Sequence, residues 1–481
     1  MIVAAAALAT LTAMHFPVST HDAGAQAAFD RGLYLYDAYN GGDASSAFAQ
    51  AAADDPRLAM ARWGEALAAG PDLNTPMTEA RFAAGAAAAR AAVALESEAG
   101  QLERGLIDAM ALRYRGSFAD WGTDDAAYDA AMTALAQRTG GRPGDAVKTL
   151  AAEALLERGG LAWAANQPVT PDSRLAEEFI AAVLNGDPGD VMANHLCVHL
   201  YDEAPDRAPA LACARRLDAA AFEPQAEHLA HMPAHYWIET GNYAAAVASS
   251  ERAYRLFERL KRLPQRDPDH DRYLPHDVYV GYSAAMMLGE EKTAAVWGSR
   301  LTAVTGIHYE GLTALRYGRF NEALQTGDPS VMDRAVRGYA ALMLGDRSAA
   351  EAAAQTLEPL PQPGYVAELF LARVFEAEGR YQDASAAIDR AVKEQSQTFS
   401  GELIPLLPAV EARAGLALRR QAYADAAQAY RDALDAYPGD PRALYGLSLS
   451  LAAQGMHVEA RRARAVFDGI WGASRAPPFL L

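Results

Sequence analysis

Gly379-Arg-Tyr-Gln-Asp-Ala384 is a phrase that recurs along this chain and decides its fold. The same order of glycine, aromatic residue and alanine returns in Gly241-Asn-Tyr-Ala-Ala-Ala246 and in Gly318-Arg-Phe-Asn-Glu-Ala323, and Tyr423-Ala-Asp-Ala426 repeats its second half. Small residues at such positions let two helices cross closely, and the aromatic side chain fills the space between them. The recurrence predicts a series of helical hairpins.

The composition also indicates an all-α fold. Of the 481 residues, 51% are hydrophobic, and many of these are alanines in runs such as 84–89 and 349–354. Alanine has the highest helix propensity, and we find no run of alternating β-branched residues that would indicate strands. A chain of this length exceeds a usual single domain, so we expect either several domains or one extended repeat array.

The spacing of the phrase resembles the second halves of tetratricopeptide (TPR) repeats, which are helical hairpins with a period of about 34 residues. This resemblance implies an α-solenoid in which the first helix of each hairpin lines a concave groove. We expect divergent helical repeats over 26–184, histidine-rich repeats over 185–325 and C-terminal TPR repeats over 326–481.

Histidines are concentrated in the middle segment. His195 and His199 lie four residues apart, and His228, His231 and His235 follow at spacings of three and four. Residues three and four apart share one face of a helix. Because the pair 231/235 follows the pair 195/199 by about one repeat, the spacing predicts that successive first helices direct their imidazoles into the same groove.

Two later histidines extend this pattern. We expect His276 to open the first helix of the next repeat and His308 to lie inside a later first helix, so that up to seven imidazoles face one groove. We interpret His270 as a structural residue.

The cluster predicts a transition-metal site. Imidazoles beside a carboxylate suit zinc, iron, copper or nickel rather than calcium or magnesium, and the number of histidines is sufficient for one or two ions. Asp202 and Glu203 are candidate catalytic bases for a hydrolase that uses a metal-bound water, and a redox metal would instead support an oxygenase. The candidate ligands are His195, His199, His228, His231, His235, His276 and Asp202, with His308 in addition.

The histidine cluster has two other interpretations. His195-Leu-Cys-Val-His199 has the histidine spacing of metalloprotease helices but lacks their glutamate after the first histidine, which disfavours that mechanism. The alternative to a metal site is a non-catalytic TPR scaffold for protein–protein interaction, with a polar groove that binds a peptide or small molecule.

A narrower resemblance rests on three motifs. His195-x-x-x-His199, His228-x-x-His231-Met-Pro-Ala-His235 and Tyr273-x-x-His276-Asp277 resemble the motifs of a bacterial TPR family of unassigned activity. That resemblance implies a metal-binding solenoid and no particular reaction. The chain departs from the family at Tyr39-Asn-Gly-Gly42, where a further histidine is usual, and at Asp202 and Asp277, which replace glutamate and asparagine.

Charge and cysteine content limit the partners. A net charge of −18 repels phosphate backbones and anionic lipids, so we expect no nucleic acid partner. The two cysteines, Cys197 and Cys213, are too few for a disulfide framework, and we expect both to be buried thiols.

The N-terminal residues 1–25 are consistent with an export segment. Ile2–Met14 is apolar and of signal-peptide length, and Ala23-Gly-Ala25 resembles a cleavage site. No lysine or arginine precedes Arg31, so the usual positive region is missing. We expect export to the periplasm; a mis-set start codon and a buried first helix of a cytoplasmic protein are the alternatives. No other stretch is long and apolar enough to cross a bilayer.

Overall fold

The computed structural model describes residues 11, 15–164, 167–202, 204–264, 267, 270–327, 329–398, 405–472 and 476–478. These residues form two compact units, the first made of Met1–Tyr236 and Arg252–Tyr273 and the second of Trp237–Glu251 and Leu274–Leu481. Nearly all regular structure is helical. The prediction of an all-α fold built from TPR-like hairpins is confirmed.

The first unit contains eleven complete α-helices, four short 3-10 helices (Glu96–Glu98, Phe118–Asp120, Ala208–Ala210 and Pro224–Ala226) and an antiparallel pair of two-residue strands. The strands are β1 (Trp163–Ala164) and β2 (Gln167–Pro168), with Trp163 opposite Pro168. The helices are α1 (Ala23–Asp37), α2 (Gly41–Asp54), α3 (Ala59–Ala68), α4 (Glu79–Ala94), α5 (Gln101–Arg113), α6 (Trp121–Arg138), α7 (Gly141–Gly159), α8 (Pro171–Gly186), α9 (Val191–Tyr201), α10 (Leu211–Ala219) and α11 (Glu227–His231).

Three helices have residues in both units: α12 (Pro233–Glu239), α13 (Tyr243–Leu260) and α14 (His270–Met286). The remaining helices belong to the second unit, namely α15 (Glu291–Thr305), α16 (Glu310–Arg316), α17 (Phe320–Ala323), α18 (Val331–Met343), α19 (Arg347–Leu357), α20 (Tyr365–Ala377), α21 (Tyr381–Thr398), α22 (Ala409–Arg419), α23 (Tyr423–Ala436), α24 (Pro441–Ala453) and α25 (His457–Trp471).

Consecutive helices pack on one another as hairpins in each unit, for example α1 on α2 and α24 on α25. Glycines permit the closest crossings. A Cβ atom at Gly64 would lie 2.3 Å from the Phe48 ring, and one at Gly446 would lie 2.1 Å from the Tyr430 ring. These two glycines lie outside the recurring phrase, whose Gly241, Gly318 and Gly379 instead adopt φ values of 75°, 76° and 79° in the turns between helices.

The cysteine prediction is wrong in one respect. Cys197 and Cys213 are both buried, as expected, but they form a disulfide between α9 and α10. Their Cα atoms lie 6.4 Å apart, which is within the usual range for a disulfide. The packing of α9 on α10 brings the two residues together, and the sequence alone gives no sign of this.

The segment just before α1 is part of the folded first unit. Phe16 is buried against the ring of Phe29, and Asp22 caps α1 by accepting hydrogen bonds from the backbone of Gly24 and Ala25. A cleavage after Ala25 would remove these contacts. The apolar stretch Ile2–Met14, apart from Leu11, lies outside the described residues, so export stays a prediction.

A pair of glycine variants tests the packing. Gly446→Ala places a methyl group against the buried Tyr430 ring, and we expect it to lower the free energy of unfolding by about 1–3 kcal/mol. Gly469→Ala is the matched control, because Gly469 is exposed in the neighbouring helix α25 with no atom near its Cβ position. The control should stabilise by about 0.5–1 kcal/mol. Urea unfolding curves measure both, and equal effects would contradict the proposed close crossing.

Candidate metal centre

Helix α9 carries the first histidine pair into the interior of the first unit. The helix begins where the Asp190 carboxylate accepts a hydrogen bond from the backbone N–H of Ala193. His195 and His199, one turn apart, are both buried, and their Nε2 atoms lie 3.1 Å apart. The helix therefore aims two imidazoles at one point.

His228, the second residue of α11, completes a group of three. One ligand atom from each of His195, His199 and His228 lies within 4.8 Å of the others, and all three side chains are buried. Two nitrogens bound to one tetrahedral zinc at about 2.0–2.1 Å would be about 3.3 Å apart. The group thus has roughly the spacing of an ion's ligand set.

The orientation of His195 is fixed from its outer side. Its Nδ1 atom lies 2.7 Å from the backbone carbonyl oxygen of Asp37, to which it donates a hydrogen bond. The proton therefore resides on Nδ1, and the lone pair of Nε2 faces His199. Metal-binding histidines are typically held this way by a carbonyl or carboxylate on the second nitrogen. Burial lowers the pKa of the His195 imidazole to about 3, so the ring is neutral, as a metal ligand must be.

A second pair lies beside the first. His231 is the last residue of α11 and His235 the third of α12, and their Nε2 atoms lie 2.8 Å apart. Pro233 is the first residue of α12, a position that its missing N–H favours. The ring of His235 is 6.1 Å from that of His199, so all five clustered histidines form one buried group in the first unit.

Asp202 contacts this second pair from outside. Its carboxylate lies 3.2 Å from Nδ1 of His235, on the opposite side of the ring from the nitrogen that faces His231. We predicted Asp202 as a direct ligand or a base. In this arrangement it orients His235, in the way that carboxylates orient metal-bound imidazoles.

Two tyrosines enclose the first group, and one of them was not predicted to take part. Tyr39, at the end of α1, has its ring centroid 4.4 Å from that of His195, and it stacks at 19° on both His199 and His228. Tyr273 lies 5.4 Å from His228 on another side. The sequence indicated only that Tyr39 lies where a further histidine is usual in the family that the three histidine motifs resemble.

Buried carboxyl groups lie behind these tyrosines. Glu153 on α7 accepts a hydrogen bond from the Tyr36 hydroxyl, 2.5 Å away, and burial raises the pKa of Glu153 to about 8. Burial likewise raises the pKa of Asp72 to about 6, and Asp72 forms backbone hydrogen bonds with Thr75, whose hydroxyl is 2.8 Å from that of Tyr273. Near neutral pH, Glu153 is largely protonated. The sequence has no local signal for this environment, since the segment between α3 and α4, helix α7 and helix α14 are far apart in the chain.

His270, which we interpreted as structural, forms an ion pair next to the cluster. Its Nδ1 is 2.8 Å from the carboxylate of Glu227, and its Nε2 is 3.7 Å from that of Asp43. Burial alone lowers the pKa of His270, but the two carboxylates outweigh it and raise the pKa to about 9. A protonated His270 thus neutralises Glu227, the residue directly before His228.

The remaining predicted residues are His276, His308 and Glu203. His276 belongs to the second unit and lies within α14, which begins at His270, so the prediction that it opens a helix is wrong. The prediction that His308 lies inside a first helix is also wrong: α15 ends at Thr305, Gly306 turns the chain with φ 70°, and α16 begins at Glu310. His308 is exposed, 3.6 Å from the Glu310 carboxylate. Glu203 lies outside the described residues.

Comparisons with known proteins concern the fold. No family model matches the chain, and no curated protein matches it. The P58(IPK) TPR domain matches at 12% identity, covering 90% of this chain and 99% of that chain, with a TM-score of 0.23. A human IFIT1 dimer with PPP-AAAA matches at 13% identity (92% and 88% covered, TM-score 0.32), and yeast Tom70 at 10% (94% and 93%, TM-score 0.27). Scores this low carry no argument about function, so the assignment of the fold rests on the hairpins themselves. Within the described ranges, no helix has the length and apolarity that a membrane span requires.

The His270–Glu227 pair predicts a pH dependence of stability. Because the pKa of His270 is about 9 in the folded chain and about 6.5 when unfolded, its stabilisation is complete below pH 6.5 and is lost as the pH rises through 9. In the wild type, the free energy of unfolding should therefore fall by up to about 3 kcal/mol between pH 6.5 and 9.5. The double variant His270→Gln/Glu227→Gln removes both charges and should not show this decrease. Urea unfolding at three pH values measures it, with the exposed His457→Gln as control; identical slopes in the double variant and the wild type would contradict the ion pair.

Proposed function

We propose that this protein is a TPR-like metalloprotein whose first unit binds a transition-metal ion through His195, His199 and His228. The observation that carries the proposal is the convergence of these three buried imidazoles, with their ligand atoms within 4.8 Å of one another. A transition-metal ion is held by several imidazole nitrogens at once, which is what three converging histidines offer.

The protonation states support binding of a cation. The Nδ1 atom of His195 donates to the Asp37 carbonyl, which leaves its Nε2 as a lone pair facing Nε2 of His199 only 3.1 Å away. A divalent ion is a natural partner for nitrogens that face each other at this distance. The lowered pKa of His195 means that no proton has to be displaced from it near neutral pH.

A second ion would use the other pair. His231 and His235 face each other at 2.8 Å, and Asp202 orients His235 from behind. The five imidazoles of the first unit would accommodate one or two ions, and an open coordination position on either would remain for water or substrate.

The donor set limits the metal and the chemistry. Cys197 lies between the two ligands of α9, but its sulfur is in the disulfide with Cys213, so thiolate ligation is excluded in the oxidised protein. Nitrogen donors with an orienting carboxylate suit zinc, iron or copper. Zinc would activate water for hydrolysis, whereas iron or copper would support an oxygenase reaction.

The disulfide also favours export. Disulfides persist in oxidising compartments such as the periplasm and are rare in reducing cytosol. A disulfide between α9 and α10 therefore supports a periplasmic or otherwise exported protein, in line with the apolar N-terminal stretch. We propose this location together with the metal site.

Metal analysis of freshly purified, untagged protein tests the function. We expect at least about one equivalent of zinc, iron or copper per chain by elemental mass spectrometry, and removal of the metal by a chelator should lower the melting temperature. The variant His195→Ala/His199→Ala should lose the metal, because it removes two of the three ligands.

The matched control is His308→Ala/His457→Ala, which removes two exposed histidines and should keep the metal content of the wild type. A metal-free wild-type protein whose melting temperature does not respond to added zinc, copper or iron would contradict the proposal. That result would favour the alternative, a scaffold that binds a peptide or another protein.

A further inference from the structure

We propose that Tyr39 is a positioning residue of the metal centre, which covers the open face of the three-histidine group and holds the ligands in place. This inference rests on the proposed function and extends it to the turn after α1, residues 37–40. In the sequence, this turn is notable only because it lacks the histidine that is usual there in the family that the motifs resemble.

The backbone of this turn is unusual for the residue it carries. Tyr39 has φ 56°, in the left-handed region, and only one other described non-glycine residue, Gln421 with φ 62°, has a positive φ. The turn is a helix C-terminal motif in which the N–H of Tyr39 donates to the Tyr36 carbonyl and that of Asn40 to the Leu35 carbonyl.

The same turn occurs in other hairpins of the chain, with glycine in the left-handed position. Two residues after the end of α18, Gly345 has φ 85° and the same pair of backbone hydrogen bonds, and two residues after α20 the same holds for Gly379. Residues with a Cβ atom are disfavoured in this conformation. Glycine adopts it freely and asparagine is tolerated, whereas a bulky residue such as tyrosine is not favoured. A tyrosine in this place of α1 therefore carries a conformational cost that the other hairpins avoid.

The contacts of the ring explain why a tyrosine is useful there. The ring is stacked on His199 and His228 at centroid distances of 5.6 and 5.4 Å, and it lies tilted at 53° to His195 at 4.4 Å. These are the three histidines of the first metal group. The left-handed conformation directs the ring across the group, where it excludes water and limits rotation of the ligands.

Two neighbours of Tyr39 act on the same histidines. The Asp37 carbonyl oxygen accepts the hydrogen bond from His195 Nδ1, and the Asn40 side chain donates to the carbonyl oxygen of Gln225, three residues before His228. The turn thus contacts α9 directly and fixes the segment that leads into α11. Polar outer contacts of this kind set the geometry of metal ligands.

The contacts of Tyr39 with the three histidines are contacts of its ring. Its hydroxyl has the buried carboxyl group of Glu153 as an electrostatic neighbour, and that carboxyl group also accepts a hydrogen bond from the Tyr36 hydroxyl. We therefore assign the role to the ring rather than to the hydroxyl, which separates the effects of two substitutions.

Zinc titration against a competing chromophoric chelator tests the inference on the full-length chain. Tyr39→Phe keeps the ring and should leave the Kd for zinc within about 2-fold of wild type. Tyr39→Asn keeps a residue that tolerates the left-handed region but removes the ring, and should raise the Kd by about 10- to 100-fold. In the cobalt-loaded protein, the Asn variant should also show altered visible absorption because water reaches the ion.

Gln421→Asn, in the equivalent turn after α22, is the control and should leave zinc affinity and the cobalt spectrum unchanged. If Tyr39→Asn does not fold, Tyr39→Leu provides the test, with the same increase in Kd expected. A folded ring-deletion variant with wild-type zinc affinity and cobalt spectrum would overturn the positioning role. Absence of zinc binding to the wild type would instead contradict the proposed function itself.

Discussion

The structure of the first unit depends on one constraint, the burial of several imidazoles against one another. Histidines at this depth must be neutral or paired with charge, and both solutions occur side by side. His195 is neutral, with its pKa lowered to about 3 by burial, whereas His270 is charged, with its pKa raised to about 9 by Glu227 and Asp43. The proposed metal group contains the neutral His195, and only a neutral imidazole offers a lone pair to an ion.

Helical hairpins supply the geometry that makes this burial possible. Helix α9 places two imidazoles one turn apart, and the break at Pro233 lets α11 and α12 do the same in the next hairpin. The outer nitrogens of His195 and His235 are held by the Asp37 carbonyl and the Asp202 carboxylate. Cys197, which lies between His195 and His199 on α9, forms a disulfide with Cys213 on α10. This covalent link limits the movement of α9.

Features that depend on local spacing were accessible from the sequence, and features that depend on distant contacts were not. The glycine and aromatic phrase predicted the hairpins, and spacings of three and four predicted which histidines share a face. The helix limits near His276 and His308 were misplaced, because Pro275 lies inside α14 and Gly306 ends α15 before His308. The contacts of Tyr39 with His195 and of Cys197 with Cys213 arise from helix packing, for which a single sequence carries no signal.

Anomalous diffraction at the absorption edge of the bound metal, from crystals of the purified protein, tests the central claim most directly. We expect the anomalous peak of the ion to lie about 2.0–2.2 Å from a ring nitrogen of each of His195, His199 and His228. A peak bonded elsewhere, or density for these three rings with ordinary hydrogen bonds and no ion between them in metal-loaded crystals, would contradict it.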